Sequence, residues 1–217
     1  MGPDLDDVRR TALAIAGAAP EGPGLDERTR ALVALACASQ PTTLDREGMA
    51  RHARRALDEG AAPLELGEVV QLAASIGVHG LHEGSRVLID VLAERGDELA
   101  IGPLSDEAQE LRDTIFADRY WRRLDENLPG FVDAQLRLSI PAFTAFVDFV
   151  GVPWRTGTLP ALTKELIYVG IDSTPTHRYL PGLRLHVGNC VKLGATRQQI
   201  VDVLDVAAAA GPAHGIP

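Results

Sequence analysis

Shifted by 134 residues, the chain aligns with itself without a gap from Leu25 on Leu159 to Gly77 on Gly211, and 14 of the 53 aligned positions are identical. Ordinary composition would give roughly four. The chain is an internal duplication, which narrows its possible folds more than any other feature. A copied unit of about 55 residues cannot bury enough apolar surface alone. The two copies must therefore pack on each other or on neighbouring subunits. The duplication is also its own control. Residues kept in both copies report what the fold demands, and a reactive group present in only one copy points to function.

The punctuation is that of helices. Asp6 to Ala16 forms a short helix carrying Val8, Leu13 and Ile15, closed by the Pro/Gly-rich stretch 19–24. Asp26 precedes a helix through Ala38, Pro41-Thr42-Thr43 turns the chain, and a second helix runs from Asp45 to Glu59. Gly60 stops it, and Pro63 opens a third helix, Leu64–Ile76, whose pattern runs on past Gly77 towards Arg95. After a connector, Gly96–Leu104, Ser105 starts a charged helix that reaches Tyr120-Trp121. Phe131–Val150 reads as a helix interrupted near Pro141, with Phe143, Phe146 and Phe149 along one stripe. The second copy repeats the hairpin as Leu159–Ser173, a Thr-Pro-Thr turn, a helix ending at Gly194, and Thr196–Ala210. No period-two strand stands out, so the expected class is all-α. The expected organisation is a first copy over 1–95 serving as scaffold half, a helical connector over 96–150, and an active second copy over 151–217.

Hydrophobic content of 46% with only 5% aromatics suits an Ala/Leu/Val core of closely packed helices. A net charge of −9 argues against nucleic acid or an anionic membrane as partner and fits a cytoplasmic protein. The acidic N-terminus lacks the basic start and apolar run of a secretory signal, and no run of 18 apolar residues is present. Cys37 and Cys190 occupy non-equivalent positions and form no CxxC, so neither a disulfide framework nor a cysteine zinc site is expected.

His52 and His186 share one slot, and for His52 the plainer reading is a hydrogen-bonded core imidazole. Gly60-Ala61 and Gly194-Ala195 are helix stops, and Thr42 and Thr176 are turn or cap hydroxyls. The asymmetric positions carry more chemistry. Glu165 faces Ala31, Tyr168 faces Ala34, His177 faces Thr43 and Tyr179 faces Asp45. Tyr179, Leu183, His186 and Cys190 share one helix face, and pairing within the hairpin would set Glu165 opposite it. A glutamate among apolar neighbours beside a histidine suits proton transfer near neutral pH; the same two groups could equally be an ion pair that fixes helix packing. Pro181 separates His177 from His186, so the two need not share one helix. No HExxH or two-His-one-carboxylate spacing is present, and no metal is expected. His186, one turn before Cys190, could depress that thiol's pKa, but Ala56 stands at the equivalent position, so a small core filler explains Cys190 equally well.

The segments Leu-Thr-Lys-Glu-Leu-Ile and Gly-Leu-Arg-Leu-His-Val-Gly-Asn-Cys-Val-Lys-Leu-Gly-Ala-Thr-Arg-Gln-Gln-Ile resemble the carboxymuconolactone decarboxylase / alkylhydroperoxidase-D family. The resemblance covers about 25–83 and 155–217 and is strongest in the second copy. It implies helical hairpins packed into ring-like trimers or hexamers, with a trimer favoured for a two-copy chain. In the peroxidase-like branch a glutamate precedes Cys-x-x-Cys-x-x-x-His. Here the glutamate falls on Glu165 and the histidine on His186, but Tyr179 and Gly182 stand at the cysteine positions, and the Glu-to-His interval is two residues longer. The redox pair is missing, which argues against thiol peroxidase chemistry. The decarboxylase branch needs neither cysteines nor a cofactor. It implies Glu165 and His186 as proton-transfer groups, with Arg184 or Arg178 available for a substrate carboxylate. The asymmetry between the copies adds His177 to the catalytic candidates and Tyr168 and Tyr179 as substrate contacts.

The leading expectation is thus a cofactor-free lyase acting on a small carboxylated lactone or unsaturated acid. The alternative is a non-catalytic helical oligomer that binds or scaffolds. Trp121, Phe143 and Phe146 could line a pocket or belong to the core.

Overall fold

The computed structural model describes all residues except 1, 119–120, 123–124, 127 and 212–217. The regular secondary structure of the described residues is all helical, with no strand among them. The helices are α1 (Leu5–Ala16), α2 (Glu27–Ser39), α3 (Arg46–Asp58), α4 (Pro63–Ala74), α5 (Val78–Glu94), α6 (Glu98–Ile101), α7 (Asp106–Phe116), α8 (Phe131–Leu138), α9 (Ile140–Thr156), α10 (Ala161–Ser173), α11 (Leu180–Lys192) and α12 (Arg197–Ala208). A single 3₁₀ turn, Ser75–Gly77, separates α4 from α5 where the pattern had run on unbroken. The short α6 lies inside the expected connector. The helix begun at Ser105 ends at Phe116, and Tyr120 lies outside the described residues.

Contacts divide the chain into two compact units, one of residues 1–76 with 152–217 and one of 77–151. This differs from the partition read along the sequence, because the stretch up to Arg95 belongs with the middle segment and both copies share one unit.

Local chemistry accounts for the helix ends. Asp4, Asp26, Asp45 and Thr196 accept backbone N–H bonds at the starts of α1, α2, α3 and α12. Gly60 and Gly194, at φ 85° and 87°, end α3 and α11 identically. Ala61 N–H donates to the Ala56 carbonyl at 2.8 Å and Ala195 N–H to the Cys190 carbonyl at 2.9 Å, the bonds of a Schellman stop. The turn inside each hairpin also matches. Leu44 and Arg178 hold the left-handed region at φ 46° and 50°, and each turn is closed by Asp45 N–H to Ala38 O (3.0 Å) or Tyr179 N–H to Asp172 O (2.9 Å).

In the first unit α2 packs against its copy α10, α4 lies on α2 and α10, and α12 lies on α10 and α2, so the copies are related by an approximate two-fold axis. Their turns meet on it, where Gln40 Nε2 donates to Thr174 Oγ1 at 2.7 Å and Thr176 Oγ1 donates to Thr42 Oγ1 at 3.2 Å. Gly170 lets the central helices close up, for a Cβ there would stand 2.8 Å from Val33 Cγ1 and 3.3 Å from Cys37 Sγ.

A pair of clasps locks one copy to the other. Glu68 of α4 accepts the Leu159 N–H at 3.0 Å and pairs with Lys164 at 2.7 Å. Its equivalent, Asp202 of α12, accepts the Leu25 N–H at 2.8 Å and pairs with Arg30 at 2.8 Å. Each carboxylate thus satisfies a backbone group and a cation from the opposite copy.

In the second unit Trp121, Phe131, Phe143 and Phe146 meet edge to face, with centroids 5.8 to 6.2 Å apart, and His82 adds its ring to Phe131 at 5.0 Å. Trp121, Phe131, Phe143 and His82 are buried in that unit's core, Phe146 is half-buried at its edge, and Phe149 at the end of the stripe is half exposed. The break near Pro141 falls at Ser139, whose extended backbone separates α8 from α9.

Candidate functional site

Helix α10 carries Glu165, Tyr168 and Asp172 at i, i+3 and i+7, which places them on one face, and α11 carries His186 and Asn189 opposite. His186 Nδ1 meets Glu165 Oε2 at 2.7 Å, and Asn189 Nδ2 donates to Glu165 Oε1 at 3.1 Å. Both carboxylate oxygens are therefore engaged. The Glu165 side chain is 5% exposed and that of His186 12%, so the imidazole keeps an edge open. The Tyr168 ring stacks on the imidazole with centroids 4.6 Å apart, and Trp154 stacks on Tyr168 at 6.5 Å. The Tyr168 hydroxyl lies 3.2 Å from Ser75 Oγ, which fixes the ring from α4's end.

Electrostatics separate the roles. Burial opposes the charged form of His186, but the charge and hydrogen bond of Glu165, with Asp172 behind, override it and raise the imidazole's pKa above its ordinary value. Burial pushes Asp172 up to about 7 against the pull of His186, and with Glu165 adding to the rise. Burial pushes Tyr168 up to about 12, so it stays a phenol. His177 Nε2 lies 3.8 Å from Asp172 Oδ1, and burial lowers its pKa to about 4, which keeps it neutral at pH 7.

The sequence-predicted residues thus divide. Glu165, His186 and Tyr168 are in mutual contact. His177 touches the same cluster through Asp172, and Tyr179 caps the start of α11 with its ring 5.7 Å from His177. Arg184 is exposed and, two residues before His186, projects from roughly the opposite side of the helix. Arg178 is exposed in the turn. Asp172, Asn189 and Trp154 were not singled out. The copy comparison contained a signal for two of them, since Asp172 faces Ala38 and Asn189 faces Arg55.

Of the two readings of Cys190, an activated thiol or a small core filler, the structure shows the core filler. Cys190 is fully buried, and burial, reinforced by Glu165's charge, raises its pKa well above that of a free thiol. Burial also pushes Cys37 up to about 12. Neither thiol should react with a disulfide reagent in the native protein, and both should react after unfolding in denaturant. Peroxide consumption, if any, should be unchanged in Cys190→Ser. Rapid native labelling of Cys190 would contradict the burial described.

The sequence matches the model of the carboxymuconolactone decarboxylase family over residues 141–213, which spans α9 to the end of the second copy. Among solved structures, the chain is similar to a candidate gamma-carboxymuconolactone decarboxylase subunit from Burkholderia xenovorans LB400. The two are 32% identical with a TM-score of 0.75, over 95% of this chain and 90% of that one. No curated protein sequence matches.

Proposed function

Because the chain belongs to the carboxymuconolactone decarboxylase family, we propose that it is a cofactor-independent lyase that removes carbon dioxide from a small carboxylated lactone or unsaturated acid. The observation that carries this reading is the 2.7 Å contact between His186 Nδ1 and Glu165 Oε2. Glu165 holds a proton on Nδ1 and favours the charged ring, so the imidazolium carries a second proton on Nε2 that it can give up. When the substrate's C–COO⁻ bond breaks, its electron pair passes into the conjugated carbonyl. The Nε2 proton of His186 then lands on the carbon that lost carbon dioxide. Tyr168 holds the imidazole plane, and Asp172 with His177 forms a second, weaker proton-holding pair behind it. Tyr179 lies beside that pair. The exposed Arg184 has no part in the cluster, so the substrate carboxylate must find another cation or N–H.

The same reading makes the protein a cytoplasmic homo-oligomer, favoured as a trimer. Support comes from the exposed Leu57, Leu64 and Val70 in the first unit, and a monomer in sedimentation would remove this part. No helix of the described residues is long and apolar enough to cross a membrane.

The test is carbon dioxide release from carboxymuconolactone by the wild type and by Glu165→Gln. Turnover by the wild type that falls in the variant is expected. Equal rates, or none in either, would remove the catalytic assignment and favour a binding or scaffold protein on the same fold.

A further inference from the structure

The first copy's counterpart of the Glu165–His186 cluster is open. Ala31, Ala34 and Ala38 stand where the second copy has Glu165, Tyr168 and Asp172. Their small side chains floor a cleft of 190 Å³ walled by Val206 and Ala210 from the end of α12. In the second copy Tyr168 fills the equivalent space and rests its hydroxyl on Ser75, whose counterpart Ala209 lines the cleft. His52, expected as a hydrogen-bonded core residue, lines this cleft instead.

The charge has reversed along with the volume. Both acids of the second cluster are gone, while Leu185 and Asn189 are replaced by Arg51 and Arg55. Arg51, Arg55 and Arg30 border the cleft beside His52 and the Thr43 hydroxyl. Arg30 is held by Asp202, and Arg55 by Glu27; Arg51 has no ion pair among the described residues. Asp45 is the acid among the described lining residues, and one of its oxygens is taken by the Gly48 N–H at 2.9 Å. Burial, followed by Arg51 and Arg55, lowers the His52 pKa, so this imidazole is neutral and can donate an N–H.

We propose that this cleft binds a small organic carboxylate, its apolar body on the alanine floor and its carboxylate against Arg51, Arg55 and His52. The space suits roughly six to ten heavy atoms. The proposal stands apart from catalysis at Glu165, so either can fail without the other.

The probe is benzoate, titrated calorimetrically into the full chain beside benzamide and inorganic phosphate. Saturable benzoate binding is expected, with no heat from benzamide and weaker binding of phosphate. Arg51→Gln should weaken benzoate by roughly ten- to a hundredfold. Ala34→Tyr, which installs the side chain that fills the twin cluster, should abolish binding with the melting curve retained. Glu165→Gln should bind as the wild type does. If Ala34→Tyr fails to fold, Arg51→Gln decides alone. Undiminished binding in both variants, binding lost only in Glu165→Gln, or phosphate binding as tightly as benzoate would each overturn the proposal.

Discussion

Replacing Lys164 with methionine should lower the unfolding free energy by about 3–5 kcal/mol, because it strands a buried carboxylate. Lys164 and Glu68 meet at 2.7 Å with side chains each only 3% exposed. Lys164 also donates to the Pro153 carbonyl and lies 5.5 Å over the Trp154 ring. Glu68 must stay in place, since it accepts the Leu159 N–H as well. The duplication supplies an internal comparison. Arg30 makes the equivalent pair with Asp202, but there the side chains are 30% and 13% exposed, and water can take over part of the lost interaction. Arg30→Met should therefore cost only about 1 kcal/mol. Adding Glu68→Gln to Lys164→Met should recover much of the loss, since the amide oxygen can still accept the Leu159 N–H while the stranded charge disappears. Denaturant midpoints at unchanged slope measure all three. A Lys164→Met variant no less stable than Arg30→Met would show that burial does not set the strength of these clasps.

The clasps were not legible in the sequence, although their residues occupy equivalent positions. Glu68 and Asp202 differ in identity, as do Lys164 and Arg30, and each bond crosses from one copy to the other. Only the two-fold packing of α2 on α10 brings them together. What could be read was local. The caps at Asp26 and Asp45, the glycine stops at 60 and 194 and the break near Pro141 depend on short-range backbone chemistry, so the helices emerged nearly whole. The Glu165–His186 contact was foreseeable because both residues lie within one hairpin whose register follows from the turn. Arg184 illustrates the limit of that reasoning. Its charge suited a carboxylate, but its place on the helix turns it away from the face that Glu165 meets. The first-copy cleft was hidden for another reason. Three alanines mark a scaffold half when read as missing chemistry, and become informative only as space.

Glu165→Gln should lower turnover by roughly 10²- to 10⁴-fold, and His186→Gln by a similar factor. If the two act as one unit, the double variant should be little slower than either single one, since removing either already disables proton transfer. The pH dependence gives a sharper discriminator. His186 titrates above an ordinary imidazole because Glu165 favours its charged form by charge and hydrogen bond. With the imidazolium as proton donor, kcat/KM should fall as pH rises through that raised value. Glu165→Gln removes both favourable contributions and leaves burial, which opposes the charge, so the His186 pKa should drop and the descending limb should move to lower pH. The imidazole can be followed independently by NMR in the resting protein. A packing pair with no catalytic part would show the same NMR shift with no matching displacement of a pH–rate limb. An unmoved His186 titration would break the coupling itself, and with it the claim that Glu165 sets the proton affinity of the reacting nitrogen.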